Sequence, residues 1–289
     1  MPSSSDWVSF LLRTLPGTGA EQIALWRATL TAQGMSPESW LQLKPRNRSK
    51  LFPLSESQEE TLARRVPECL RFSAAMEDDA IWLMTPDDPG WPRGALEPLG
   101  PRAPEFLSGW GSRAVLGQPH VAVVGSRSAT PEAVQFAEIA ARSLVEMGLG
   151  VISGGARGID QAAHRAALRT GGTTIFVLSE GVVSSTDHAH REELDPARVC
   201  LVSQVWPTQR FSTAEALARN HLIVALSQAV LVVAAESTGG SLRTGLAALE
   251  MRRPTFVIHH PEVTVHTAGN HRLRQAGAIA LPAEAFRAG

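Results

Sequence analysis

Two short apolar runs that stop abruptly in glycine and small polar residues constrain this chain more than any other stretch. The first is Val121-Ala-Val-Val-Gly-Ser-Arg127; the second, about one helix later, is Val151-Ile-Ser-Gly-Gly-Ala-Arg-Gly-Ile-Asp160. An apolar run without polar alternation has to be covered on both faces. That is the habit of a buried parallel strand, and the helical pattern after each run supplies the cover. The loop at such a junction can aim several backbone N–H groups and a helix N-terminus at one point, which suits a phosphate. A third loop, Gly239-Gly240-Ser241, opens a further helical pattern in the same way. We read the three loops as the walls of one anion-binding pocket.

From His120 onward strand and helix signals alternate. The pattern predicts strands over 120–124, 149–152, 173–178, 199–202, 230–234 and 254–258, and helices over 131–147, 158–170, 213–227 and 241–251. Thr130-Pro131-Glu132 is a helix start, with a capping hydroxyl, proline in the first turn and an acid near the positive end. This alternation implies an α/β fold, a Rossmann-like doubly wound and mostly parallel sheet over residues 119–289, with its ligand site beyond the carboxyl ends of the strands. Residues 1–75 read as a small N-terminal helical domain. Trp7, Phe10, Leu11 and Leu15 fall near helical spacing, Pro16-Gly17-Thr18-Gly19 breaks the chain, and Ile23, Leu25, Trp26 and Leu30 resume it. Helix, glycine turn and helix resemble a SAM or helix-hairpin-helix module; such a turn either lays N–H groups on a DNA phosphate or joins a packing bundle. The basic, proline-broken run Lys44–Lys50 reads as a solvated linker. Residues 76–118 read as an extension leading into the core, with short edge strands at Ile81–Met84 and Pro104–Leu107.

Charge decides how an anion could be held. The 289 residues carry a net charge of −1, and Lys44 and Lys50 are the only lysines. From His120 onward 15 arginines face 14 acidic residues. A polyanion must therefore be gripped by a local arginine cluster and not by a global field. Arg127 and Arg157, each inside a glycine loop, are the candidates there, with Gly125, Ser126, Ser153, Gly154, Gly155, Gly239, Gly240 and Ser241 supplying amides and hydroxyls. Asp160 reads as a cap for its own loop, and His164, four residues on, either hydrogen-bonds a neighbouring loop or meets a ligand. Neither loop is GxGxxG or a P-loop, and no acid follows the second strand to hold a ribose, so a standard dinucleotide or NTP site is set aside. The chain has no HExxH and no CxxC; His259-His260 stands without companion ligands. No general base is placed for Ser126, Ser153 or Ser241, and there is no GxSxG. The expectation is a binding protein without catalysis, cofactor or metal. Cys69 and Cys200 make no disulfide framework, and Cys200 reads as a small core residue. No apolar run is long enough to cross a bilayer and no leader pattern opens the chain, so no membrane partner and a cytoplasmic location are expected.

At these residues the chain resembles the DprA/Smf family of DNA-processing proteins. The matching stretches are Val121–Arg127, Ser153–Asp160 with Ala163-His164, Gly172-Thr173 leading to Leu178, Arg219-Asn220, Gly240-Ser241-Leu242 and Gly277-Ala278. Asp87-Asp88-Pro89-Gly90-Trp91-Pro92 and Leu15-Pro16-Gly17-Thr18-Gly19 match upstream. The resemblance implies a non-catalytic homodimer that binds single-stranded DNA, acts in natural transformation, protects the strand and loads RecA recombinase onto it. By match it adds Arg219 and Asn220 to the pocket. The sequence departs from the family pattern at Ala216 and His221, where an aromatic and an arginine are replaced, at Gln204, and at Ala234, where a glutamate is lost. Phe211, out of register, reads either as a stacking ring or as core. A second class to weigh is a nucleotide-binding or nucleotide-hydrolysing protein similar to the LOG-type phosphoribohydrolases. Gly239–Glu250 lacks the proline and spacing of that group's glycine stretch.

Overall fold

The structure, a computed structural model, describes residues 11, 12, 14–78, 81–86, 88–184, 193–259 and 264–286. Trp7 and Phe10 of the first helical expectation lie outside them. After the helical residues Leu11 and Leu12 come α1 (Ala20–Ala32), α2 (Pro37–Leu41), α3 (Pro45–Leu51) and α4 (Glu56–Asp78). Gly17 takes a left-handed φ of 71°, which turns the chain back before α1. Trp26 of α1 and Trp40 of α2 meet edge-on, centroids 5.4 Å apart, so a positive ring edge faces a negative ring face. The run Lys44–Lys50, read as a solvated linker, is instead mostly helix α3. Pro45 occupies its first turn, where the missing N–H costs nothing. Arg48 is only 6% exposed: it pairs with Glu59 of α4 at 2.7 Å and donates to the Leu41 carbonyl at 2.8 Å. The run is basic, but its central charge already has a partner.

The nine strands among the described residues form one sheet. β1 (Ile81–Met84) and β2 (Leu107–Gly111) come from the segment before the core; β3 (His120–Val124), β4 (Gly150–Ser153), β5 (Thr174–Val177), β6 (Val199–Ser203), β7 (Ala229–Val232), β8 (Thr255–His259) and β9 (Ile279–Pro282) follow. Their order is β1-β2-β6-β5-β4-β3-β7-β8-β9. All seven core strands run parallel, and β2 and β1 add antiparallel beyond β6. Where an edge strand was expected at Pro104–Leu107, the strand begins at Leu107 and runs between β1 and β6. Gly109 permits that inner position, because a Cβ there would collide with the Trp82 ring and the Leu201 carbonyl. β9 was not expected: its residues Ile279-Ala-Leu-Pro282 are apolar, yet they lie mostly exposed on the edge of the sheet and end in a proline. The chain steps outward from β3 to β6 and then returns to β7 on the other side of β3. That reversal opens a crevice between the carboxyl ends of β3 and β7, the position where doubly wound sheets take ligands.

Helices α5 (Pro131–Glu146), α6 (Ile159–Arg169), α7 (Thr213–Leu226), α8 (Gly240–Glu250) and α9 (Ala268–Gln275) cover the sheet. Alternate strand residues choose the face. Ala122, Val124, Val177 and Cys200 pack against Leu222–Leu226 of α7 and Leu242, Ala247 and Ala248 of α8. Val123 and Val151 pack on the other face against α5 and α6, which meet through the alanines Ala137, Ala140 and Ala141 and Ala162, Ala163 and Ala166. Small residues let those helices lie close without voids. On the same face, nearer β6, Val199 and Leu201 share a core with Trp26, Trp40 and Leu62 of the N-terminal helices. Cys200 is fully buried, as expected, and burial pushes its thiol above the ordinary range. No helix among the described residues is long and apolar enough to cross a membrane.

One buried polar side chain fastens the sheet near its switch point. Asn270 of α9, 3% exposed, accepts from the Ala235 N–H at 2.7 Å and donates to the Val233 and Ile258 carbonyls at 2.9 and 3.0 Å. It thus supplies the ends of β7 and β8 with the partners the ladder no longer gives them. Replacing it with leucine strands several buried backbone groups, each worth about 1–3 kcal/mol. Asn270→Leu is expected to lower unfolding free energy by about 3 kcal/mol, measured as a shifted urea midpoint at unchanged slope.

Candidate nucleic-acid interface

At the carboxyl ends of β3 and β7 a cavity of about 490 Å³ opens. Beside it lies a smaller one of about 250 Å³, and the two share Arg127, Ala156, Phe211 and Arg219. Gly125, Ser126, Arg127, Arg219, Asn220, Gly239, Gly240 and Ser241 line the larger cavity. Gly154, Gly155 and Arg157 line the smaller. The three glycine loops therefore converge, and they do so where the sheet reverses. Ser153 lines neither cavity. It is fully buried, and its hydroxyl donates to the Val123 carbonyl at 2.7 Å, tying β4 to β3. Being the last residue of a buried strand, it points into the sheet's cover and not out of its end.

The loop after β4 is held from beneath. The Gly154 and Ala156 N–H groups donate to Asp160 Oδ2 at 3.2 and 3.4 Å, so Asp160 caps its own loop. Arg219 of α7 reaches under the same loop and donates from Nη1 to the Gly154 carbonyl at 2.7 Å and the Val177 carbonyl at 2.6 Å. Gly154 has to be glycine, because a Cβ would occupy the guanidinium's place. Arg219 is 7% exposed. It forms part of the cavity wall, but its Nη1 is committed to carbonyls. Burial raises the Asp160 carboxyl above the ordinary range, against the pull of Arg219. Burial likewise lowers the Arg219 guanidinium, against the pull of Asp160. His164 lies behind them, 1% exposed and stacked on Phe176 with centroids 3.6 Å apart. Its Nδ1 sits 2.7 Å from Thr174 Oγ1, whose own proton goes to the Val151 carbonyl, so His164 donates from Nδ1. Of the two readings left open for His164, a hydrogen bond within the protein is the one present, and its partner belongs to strand β5 and not to a loop.

The loops after β3 and β7 face the opening. Ser126 donates to Glu236 Oε1 at 3.2 Å and accepts from the Ser128 N–H at 3.1 Å. Sequence reading missed Glu236. It sought an acid at Ala234, the end of the apolar run, and the carboxylate sits two residues further, on the cavity wall. Arg127 is exposed at the shared mouth and Arg157 on the smaller cavity, and neither makes an ion pair among the described residues. Gly239 precedes α8 with a φ of 121° and leaves that helix without a side-chain cap, so its first amides face the opening. Phe211, left open as stacking ring or core, is 53% exposed and borders both cavities. Asn220 reaches the larger cavity, whereas His221 turns away from it and meets Arg102 at 3.1 Å.

Fold and site together define a Rossmann-like protein that gathers backbone amides, hydroxyls and arginines at its switch point. The chain belongs to the family of DNA recombination-mediator protein A, whose sequence model matches residues 82–286; the DprA/Smf resemblance stands. It is 34% identical over 186 residues to the protein Smf of Synechocystis sp., covering 63% of this chain and 47% of Smf. It is 35% identical over 178 residues to the DNA processing protein DprA of Streptococcus pneumoniae, covering 61% of this chain and 63% of that protein. The chain spans about half the length of the first curated relatives it matches. A crystal structure of the Streptococcus pneumoniae protein superposes with a TM-score of 0.68 at 25% identity over 96% of this chain and 94% of that one. A structure of DNA processing protein A from Helicobacter pylori, described for its unique single-stranded DNA binding mode, superposes with a TM-score of 0.60 at 25% identity, covering 71% of this chain and 93% of that one.

Two outcomes follow from the buried groups. Arg219→Met leaves the Asp160 charge uncompensated and is expected to cost about 3–5 kcal/mol; adding Asp160→Asn should recover more than about 1 kcal/mol in a double-mutant cycle by denaturation. His164 is held at about 3, below its ordinary 6.5, chiefly by burial and then by Arg219 and Arg165. Between those values the unfolded chain takes up a proton that the folded chain refuses, so stability falls as pH drops from 6.5 toward 3. His164→Gln should flatten the dependence of unfolding free energy on pH between about pH 6 and 4 by about one proton, or about 1.4 kcal/mol per unit.

Proposed function

We propose that this chain binds single-stranded DNA by its phosphates in the paired cavities at the sheet's switch point. The observation that carries the reading is Arg127: an exposed guanidinium without an ion pair among the described residues, at the mouth where all three glycine loops converge. A guanidinium with backbone amides beside it grips phosphate without reading sequence. Phe211, exposed on the shared wall, offers a face on which any base can stack. Such a surface selects a single strand, because bases in a duplex have no free face. The Helicobacter pylori relative, described for binding single-stranded DNA, supports the assignment. The site residues above act together: Gly125, Ser126, Gly240 and Ser241 on one side of the strand, and Gly154, Gly155 and Arg157 on the other.

The family resemblance extends the proposal. The chain acts as a homodimer, shields the strand and passes it to RecA recombinase during natural transformation. Static light scattering of the pure protein reads the dimer, and the rate of RecA filament growth on protein-coated DNA reads the transfer. Neither step calls for bond-making chemistry by this chain.

Fluorescence anisotropy with labelled oligothymidylate over a salt series tests the binding itself. Affinity is expected to fall steeply with salt and to survive an excess of duplex. Arg127→Ala should weaken binding about tenfold or more and reduce the log–log salt slope by about 0.7, one single-strand phosphate contact. Equal affinity in the variant would remove Arg127 from the interface and the cavity assignment with it.

A further inference from the structure

A third cavity, of about 370 Å³, lies on the same edge of the sheet, where the loop leaving β6 meets the N-terminal helices. Trp206 lies in its wall, and the Arg65 guanidinium of α4 sits 4.2 Å from the indole centroid. Gln204, the first residue past β6, lines the cavity, and its amide makes no hydrogen bond among the described residues; the same holds for the Glu105 carboxylate. Arg65, Arg102, Glu105 and Glu215 line it, two charges of each sign, and Arg102 also pairs with Glu250 at 3.3 Å. A phosphate gains little from such a balance. A neutral planar ligand with donors and acceptors along its edge gains a great deal, since an amide and charges of both signs meet that edge and flat side chains flank it.

The geometry of the wall says where such a ligand comes from. Within the segment from β6 into α7, Gln204, Trp206 and Gln209 line this cavity, whereas Phe211 and Thr213 line the phosphate cavity. On α7 itself Ala216 faces the phosphate cavity and Glu215 this one. The two sites are thus separated by the first turn of one helix, about 10 Å across. A strand held at Arg127 has only to cross that turn. We propose that this cavity is a second subsite for the same single strand, holding one of its nucleobases against Gln204 and the Arg65–Trp206 stack. The inference rests on the single-strand reading of the phosphate cavity.

Its test compares Gln204→Leu, which keeps the shape and removes the amide, with the wild type on oligothymidylates of about four and about sixteen nucleotides. The variant should bind the longer strand about five- to tenfold more weakly and the shorter one equally, with an unchanged salt slope, since no phosphate contact is lost. Thymidine, which has no phosphate, separates this inference from the one it rests on. Titrated into protein carrying isotope-labelled tryptophan, it should shift the Trp206 indole signal, assigned with Trp206→Phe, whether or not oligonucleotides bind. Failure of the wild type to bind any oligonucleotide, with that shift present, would sink the strand reading and keep the base site. No shift at high nucleoside concentration, or a variant equal to wild type at both lengths, overturns the base site.

Discussion

A buried guanidinium under a glycine loop is the contact on which the site depends. Arg219 holds the ends of β4 and β5 through the Gly154 and Val177 carbonyls, while Asp160 gathers the Gly154 and Ala156 amides from the other side. With these groups engaged, the rest of the loop is free to present Arg157 and its remaining amides outward. Their mutual attraction and the hydrogen bonds that surround them offset part of the cost of burying both charges. Family resemblance had offered Arg219 as a phosphate ligand. In the structure it lines both cavities and its Nη1 holds the loop after β4, while Arg127 and Arg157 are the exposed arginines beside it.

How much of this the sequence showed depends on what kind of signal each part leaves. Strands β3 to β8 were legible because they are buried on both faces and so read as unbroken apolar runs, and the helices between them follow the 3.6 period. β9 was not, since its short apolar stretch, Ile279 to Pro282, ends in a proline, which reads as a break and not as a strand. The helix at Pro45–Leu51 was hidden by its charges: nothing local reveals that Arg48 has Glu59 to pair with. The three loops of the site were legible from their glycines, because backbone must come close there. Ser153 could not be told from its neighbours, since a serine at a strand end looks alike whether it faces the ligand or the sheet. Glu236 escaped because exposed loops carry no period from which to judge direction.

The charge pattern joins fold to function. A nearly neutral core domain has no long-range field to draw in a polyanion, so its grip must come from a few well-placed groups. The reversal of strand order after β6 gathers the loops after β3, β4 and β7 at one rim, and in this way a chain of net charge −1 can present open amides and arginines without an ion pair among the described residues at a single mouth. Membership in the DNA recombination-mediator protein A family agrees with that economy of charge. Glu236, bonded to Ser126, adds a negative group inside the rim.

The most direct measurement is a crystal structure of the protein with a short oligothymidylate. The account predicts a phosphate held by the Arg127 guanidinium and by amides of the Gly125–Arg127 and Gly240–Ser241 loops, with a base on Phe211 and Arg219 still bonded to Gly154 and Val177. DNA seated elsewhere, with Arg127 turned to solvent, would contradict it.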